Sequence, residues 1–240
     1  MIMMNKDILE VQQMLLTAGF NVGKAGADGL YGPSTREALR QCIAKATTGG
    51  AVSPTTPIIV TGDGYDLAWS AKVTPEFCRK VEHMAQALAM PATGPNDFMA
   101  CMAFESDETF SPSIQNKGGA PYYGLIQFGD AAAIDLKTTT DALRKMTAFD
   151  QLDYVYEFFR PYAGKLHTLS DIYMRILWPR AVGQPESYEL WNKATRPTTY
   201  LQNRGLDINN DGSITKAEAA QMVAAKLTRG MQPQFRRKIT

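Results

Sequence analysis

Cysteine and histidine are scarce in this chain, and their scarcity removes whole classes of chemistry. Cys42, Cys78 and Cys101 are odd in number and lack metal-ligand spacing, so they form neither a fully paired disulfide framework nor a zinc site. Each falls in an apolar helical pattern, and all three are expected as reduced core residues of a protein made in a cytoplasm. His83 and His167 lie far apart and match no triad or zinc spacing, so both are expected to be structural or exposed. Long hydrophobic runs are also missing: nothing approaches the ~18 apolar residues of a membrane helix. Met1–Glu10 has no continuous apolar stretch and no small-residue cleavage site, which argues against a signal peptide. A target beyond the inner membrane would then need another factor to deliver the protein. Excess charge is absent too. A net charge of +1 supplies no broad field for nucleic acid or membrane, and neither is expected as a partner. The short basic run Arg236-Arg237-Lys238 is expected to be a solvated tail.

What is present is a core-forming composition. With 240 residues and 45% hydrophobic content, the chain can fold as one large domain or one large and one small. Residues 7–46 read as a compact unit. Ile8, Val11 and Leu15 recur at helical spacing and Gly19 is a natural stop. Asp28-Gly29 and Gly32-Pro33 signal turns. Ser34 and Glu37 form a capping box at the start of a helix carrying Leu39, Cys42, Ile43 and Ala46. Thr47 to Gly64 is rich in Thr, Gly and Pro and reads as a linker, with room for a short strand at Pro57–Val60. The expected division is a small domain at 1–46, a linker at 47–64 and a larger domain at 65–240. The larger part is mainly α. Thr74 caps a helix that opens with Pro75, and its buried face carries Cys78, Val81, Ala85 and Leu88. Gly94-Pro95-Asn96 opens another, holding Phe98, Cys101, Met102 and Glu105. Residues 111–128 are expected as loop with little β structure. Later helices are expected over Asp141–Met146, Phe149–Phe159, Ser170–Leu177 and Lys216–Thr228. Tyr154, Tyr156, Phe158, Phe159 and Tyr162 are expected to pack helices, and Trp178 and Trp191 to sit in the core.

Two segments carry chemistry. Phe104-Glu105-Ser106 places a lone carboxylate at the end of an apolar helix, on the flank of Cys101 and Phe98. Gly124-Leu125-Ile126-Gln127-Phe128 follows as an apolar segment bearing a glutamine. Apolar surroundings raise an acid's proton affinity, because burial disfavours the charged form. A glycosidic oxygen needs such a proton in order to leave. Glu105 is therefore the candidate acid for cleavage of a sugar polymer. A transglycosylase would need this Glu alone, whereas a hydrolase needs a second carboxylate. Asp107 and Glu108 are expected to be solvated loop charges.

Both parts resemble known families. Val11-Gln12-Gln13-Met14-Leu15, Ala18-Gly19-Phe20, Asp28-Gly29-Leu30-Tyr31-Gly32-Pro33 and Thr35 to Leu39 resemble the peptidoglycan-binding domain family, a small three-helix fold. Glu105-Ser106, Phe110 to Asn116 and Gly124 to Phe128 resemble the lytic transglycosylase branch of the lysozyme superfamily. That resemblance implies a lysozyme-like α+β domain with Glu105 as catalytic acid and then base. It implies substrate contacts at Ser106, Gly124 and Gln127, and a role near the acid for Tyr173. The whole arrangement is similar to modular bacteriophage endolysins. It implies a monomer that binds and degrades bacterial peptidoglycan at the N-acetylmuramic acid–N-acetylglucosamine bond, acting at the cell wall in the periplasm. A muramidase, a chitinase-like hydrolase and a non-catalytic wall-binding protein are the alternatives.

One motif lies outside this reading. Asp207-Ile208-Asn209-Asn210-Asp211-Gly212-Ser213-Ile214-Thr215-Lys216-Ala217-Glu218 follows the EF-hand loop pattern. Oxygen-bearing side chains stand at Asp207, Asn209, Asp211 and Thr215, Ser213 would offer its carbonyl, and Glu218 closes the loop. Structural Ca2+ is the expected cofactor. Thr215 and Glu218 also spell a capping box, a rival explanation of the same letters.

Overall fold

The computed structural model describes residues 6–24, 26–28, 34–35, 37–39, 41–42 and 64–239. The chain divides into two compact units, Met1–Thr56 and Pro57–Thr240. The expected turn at Gly29–Pro33, the side chains of Ile8, Ile43 and Ala46, the 47–63 linker and its strand lie outside the described residues.

In the first unit, helix α1 spans Lys6–Thr17. It ends where Gly19 adopts a left-handed φ of 85° and the Phe20 N–H closes on the Leu15 carbonyl at 2.9 Å, a stop that glycine makes without a Cβ penalty. Leu15, Val22 and Ala38 form the small core, with Phe20, Leu39 and Cys42 against it. The expected apolar face needs correction at one position: Val11 is exposed, and Gln12 takes the inward place. The buried Gln12 amide donates to Asp28 Oδ1 at 2.9 Å and Thr35 Oγ1 at 2.8 Å. One polar side chain thus joins helix, loop and the helical residues at 34–35, which satisfies donors that burial would otherwise penalise.

The second unit is mainly helical. In chain order it contains α2 (Pro75–Ala87), α3 (Gly94–Glu105), α4 (Asp130–Asp135), α5 (Thr140–Arg144), α6 (Ala148–Phe159), α7 (Leu169–Leu177), β1 (Glu189–Asn192), α8 (Pro197–Asn203), β2 (Ser213–Thr215) and α9 (Lys216–Gly230). The helix start expected from the Thr74 cap is present. Thr74 Oγ1 accepts from the Phe77 N–H with Pro75 at the first position, and Thr139, Thr147 and Thr168 cap α5, α6 and α7 in the same way.

Helix α3 is the axis of the unit. Gly94, Pro95 and every residue from Asp97 to Ala103 are buried, the all-round burial that an apolar helix requires. It packs against α2, α7 and α9. Phe98 meets Phe159 of α6 edge-on at 4.9 Å, a favoured aromatic geometry. Strands β1 and β2 pair antiparallel, with Trp191 opposite Ile214, and an irregularity separates Glu189 from Trp191. Trp178 stacks edge-on with Trp191 at 5.5 Å. The 111–128 segment carries only isolated bridges, Gln115 with Tyr123 and Tyr123 with Phe128.

The basic C-terminus is not the solvated tail that its charges suggest. Arg236 is buried and donates to the carbonyls of Asp66 at 2.7 Å and Tyr65 at 3.1 Å. Arg237 pairs with Asp66 at 3.0 Å and donates to the carbonyls of Ser70 and Val73. Beside it, the Trp69 indole donates to the Lys226 carbonyl at 3.0 Å and occupies the space a Cβ at Gly230 would need. The start and end of the unit are therefore stitched together. Cys78 and Cys101 are free and buried, and Cys42 is free and partly buried. His83 and His167 are exposed. No helix among the described residues is long and apolar enough to cross a membrane.

Candidate active site

Glu105 is the last residue of α3, and the chain turns sharply after it. Ser106 is fully buried. Its hydroxyl donates to the Met102 carbonyl at 2.6 Å and accepts from the Phe110 N–H at 3.0 Å. This corrects the expectation of a substrate contact at Ser106: both hydrogen-bonding roles are taken, and the residue shapes the loop. Asp107, Glu108 and Phe110 all have left-handed φ, at 50°, 64° and 52°. Such positions cost free energy in residues with a Cβ and persist only where surrounding contacts enforce them. Here Thr109 donates to the Ser106 carbonyl at 2.6 Å. The Glu108 carboxylate pairs with Lys226 and, at 3.2 Å, with Arg229, both on α9. Glu108 is thus a tether and not the solvated charge expected of it. Asp107 is solvated as expected, paired at the surface with Lys117 at 2.9 Å.

The Glu105 carboxyl, by contrast, has no hydrogen bond or ion pair among the described residues. Burial against apolar neighbours pushes its pKa from 4.5 up to about 8, while the residue keeps partial access to solvent. Desolvation is the only cause, with no charge nearby to offset it. Tyr173 on α7 is close enough for the Glu105 charge to act on it. Burial first, then Glu105, raises its phenol above the ordinary range. Its ring packs edge-on against Phe104 at 5.5 Å. A buried, neutral phenol therefore lies beside a carboxyl that favours its proton.

The Gly124–Phe128 turn is held from behind by Gln151 of α6, a fully buried residue that periodicity alone does not single out. Gln151 Oε1 accepts from the Leu125 N–H at 2.8 Å, and Nε2 donates to the carbonyls of Pro112 at 3.0 Å and Leu143 at 2.9 Å. Gly124 has a φ of 84°, and the Gln151 amide fills the place of a Cβ. Glycine is required here by the fold itself. Gln127 adopts a left-handed φ of 54°. Its Nε2 donates to the carbonyls of Gly124 at 3.2 Å and Ile114 at 3.3 Å, and its Oε1 is buried without a donor. One amide thus ties the Gly-Leu-Ile-Gln turn to the loop that leaves Glu105.

The 207–218 loop follows α8 and runs through β2 into the first turn of α9. Asp207 Oδ2 accepts from the Tyr200 hydroxyl at 2.6 Å and the Gly212 N–H at 3.1 Å. Asn209 and Asp211 bond each other at 3.0 Å, and Asp211 Oδ1 accepts from the Ser213 N–H at 2.8 Å. The Ser213 hydroxyl donates to Glu189 at 2.7 Å. Thr215 and Glu218 complete the capping box. Among the described residues no three His, Cys, Asp or Glu side chains gather as a metal-binding group, so the carboxylates of Asp207, Asp211 and Glu218 do not converge as they stand.

No known family profile and no curated protein matches the chain.

Proposed function

We propose that the protein cleaves peptidoglycan glycan strands at the N-acetylmuramic acid–N-acetylglucosamine bond by lytic transglycosylation, in the manner of a phage endolysin, with a lysozyme-like catalytic unit. The observation that carries this reading is the Glu105 carboxyl, unpaired in apolar surroundings and pushed up to about 8. At neutral pH it holds a proton. It gives that proton to the glycosidic oxygen as the bond to the anomeric carbon breaks. The resulting carboxylate then takes the proton of the C6 hydroxyl on the same sugar, whose oxygen bonds to the anomeric carbon and closes a 1,6-anhydro ring. Glu105 ends protonated, so no water is consumed and no second acid is required.

The neighbouring carboxylates favour this route over hydrolysis. A hydrolase needs a second carboxylate free to activate water or attack the sugar. Glu108 is engaged by Lys226 and Arg229, and Asp107 is exposed and paired with Lys117. The Tyr173 phenol is placed to steady the acid as it changes charge. The first unit, whose motif resembles wall-binding domains, supplies the reason to choose peptidoglycan among sugar polymers. Digestion of purified peptidoglycan followed by mass spectrometry tests the reading. Anhydro-muropeptides are expected. Reducing-end muramic acid would make the enzyme a muramidase, and binding without any product would make it a wall-binding protein.

A further inference from the structure

We infer that the 207–218 loop is a Ca2+ site, independent of the glycan chemistry. The loop's residue pattern alone would not decide this, because Thr215 and Glu218 also cap α9. The capping box, however, uses only one of the two Glu218 oxygens. Oε2 accepts from the Thr215 N–H at 2.9 Å and its hydroxyl at 2.7 Å, while Oε1 is buried without a partner. At the other end of the loop, Asp207 is only 6% exposed, and its Oδ1 is likewise buried without a partner. A buried carboxylate oxygen with no donor is costly. Two of them stand at the first and last positions of one twelve-residue loop, the two positions whose carboxylates anchor Ca2+ in this pattern.

The charge balance points the same way. Asp207, Asp211 and Glu218 form no ion pair among the described residues, in contrast to Glu108, which pairs with Lys226, and Asp171 of α7, which pairs with Lys216 at 2.6 Å. The backbone is shaped for a tight loop: Asn210 and Gly212 have left-handed φ of 60° and 86°, and Gly212 directs its N–H to Asp207. Ile214 is fully buried, and β2 is held by β1 through Trp191, which fixes the middle of the loop to the unit's core. Asp207, Asn209, Asp211, the Ser213 carbonyl, Thr215 and Glu218 supply the hard oxygen set that Ca2+ prefers over softer metals. Asn209 and Asp211 are exposed, so their side chains are free of core packing and can turn toward an ion. The ion would brace the start of α9, the helix that tethers Glu108.

Full-length protein, stripped with EDTA and titrated with CaCl2 by calorimetry, tests the site, with thermal melts in parallel. Saturable binding of one ion per chain and a rise in Tm are expected, with MgCl2 binding more weakly. Glu218→Gln keeps an oxygen for the helix cap, and Asp211→Asn alters an exposed side chain, so both should fold with an unchanged far-UV spectrum. Each should weaken Ca2+ binding by about tenfold or more. Absence of saturable heat and of any Tm rise at millimolar Ca2+ would overturn the site, as would wild-type affinity in Glu218→Gln. Neither readout uses a glycan substrate, so the result stands apart from the fate of the glycosidase reading.

Discussion

Two carboxylates sit at the ends of neighbouring helices and meet opposite fates. Glu105, at the C-terminal end of α3, has no partner among the described residues, and desolvation pushes it up to about 8. Asp171, in the first turn of α7, is buried as well. Burial alone would raise it, but the buried Lys216 ammonium at 2.6 Å, with the Gly183 N–H and Thr168, holds it below its ordinary value. Lys216 in turn donates to the Gln184 carbonyl at 2.8 Å. The difference separates structure from chemistry: a buried carboxylate that is paired holds helices together, and one that is unpaired stores a proton.

The comparison breaks most sharply at Glu105 itself. Glu105→Gln should lower the rate of wall digestion by about 10²–10⁴-fold, with no loss of folded structure by circular dichroism. Turbidity clearing of purified walls measures the rate, and a variant retaining more than a few per cent of wild-type activity would remove Glu105 from the chemistry. The pH dependence carries the same sign. Because the folded-state pKa is raised, the folded protein holds a proton that the unfolded chain releases, so Glu105 subtracts stability as pH rises from about 4.5 to about 8. Glu105→Gln should therefore melt higher than wild type at pH 8 and show little difference at pH 4. Activity that depends on the protonated form should fall as pH passes about 8. Asp171 has the opposite sign: its stabilisation is present above the ordinary aspartate range and is lost as acid titrates it.

On the paired side, Lys216→Met should destabilise the unit by about 3–5 kcal/mol, since it leaves the Asp171 charge buried and alone. Denaturant unfolding measures this. A double variant that also replaces Asp171 by Asn should recover part of the loss, and no recovery would mean that the pair is not the cause. A smaller effect is expected at Gln151→Leu, about 1–3 kcal/mol, because the Leu125 N–H and the Pro112 and Leu143 carbonyls lose their buried partner. Its specific activity should fall as well, since the Gly124–Phe128 turn is freed from α6. The smallest effect belongs to Asp107→Asn, whose exposed side chain should leave both the melting temperature and the activity at wild-type values. A large loss there would reveal the second carboxylate that a hydrolase requires and would end the single-acid reading.

Much of the scaffold is legible in the residues. The Thr74-Pro75 start, the apolar run of α3 and the helices around 141–146, 149–159, 170–177 and 216–228 follow from caps and period, and α9 extends only to Gly230. The short helices α4 and α8 and the strand β1 are not legible, because segments of this length draw their stability from tertiary contacts and not from propensity. At the site, Glu105 stands out because it is a charge at the end of an apolar helix. Gln151 does not, because a glutamine within a helix looks like any surface residue until its partners are known. Ser106 misleads for the same reason: proximity to the acid in sequence does not say which way a hydroxyl points. Lys216 stands within the calcium-like pattern, yet only the fold reveals that its ammonium reaches Asp171, distant in sequence.

By itself the sequence determined where several helices begin, which faces are apolar, and which carboxylate stands at the end of an apolar helix. Those are local properties, set by caps, periodicity and the chemistry of adjacent residues. The tertiary structure alone decided which charges pair between elements distant in sequence. It buried the basic C-terminus against Asp66 and Ser70, joined Glu108 to α9 and Asp171 to Lys216, and left Glu105 without a partner among the described residues. The physical reason is that a pKa depends on solvent and charge within a few ångströms in space, whatever their distance along the chain.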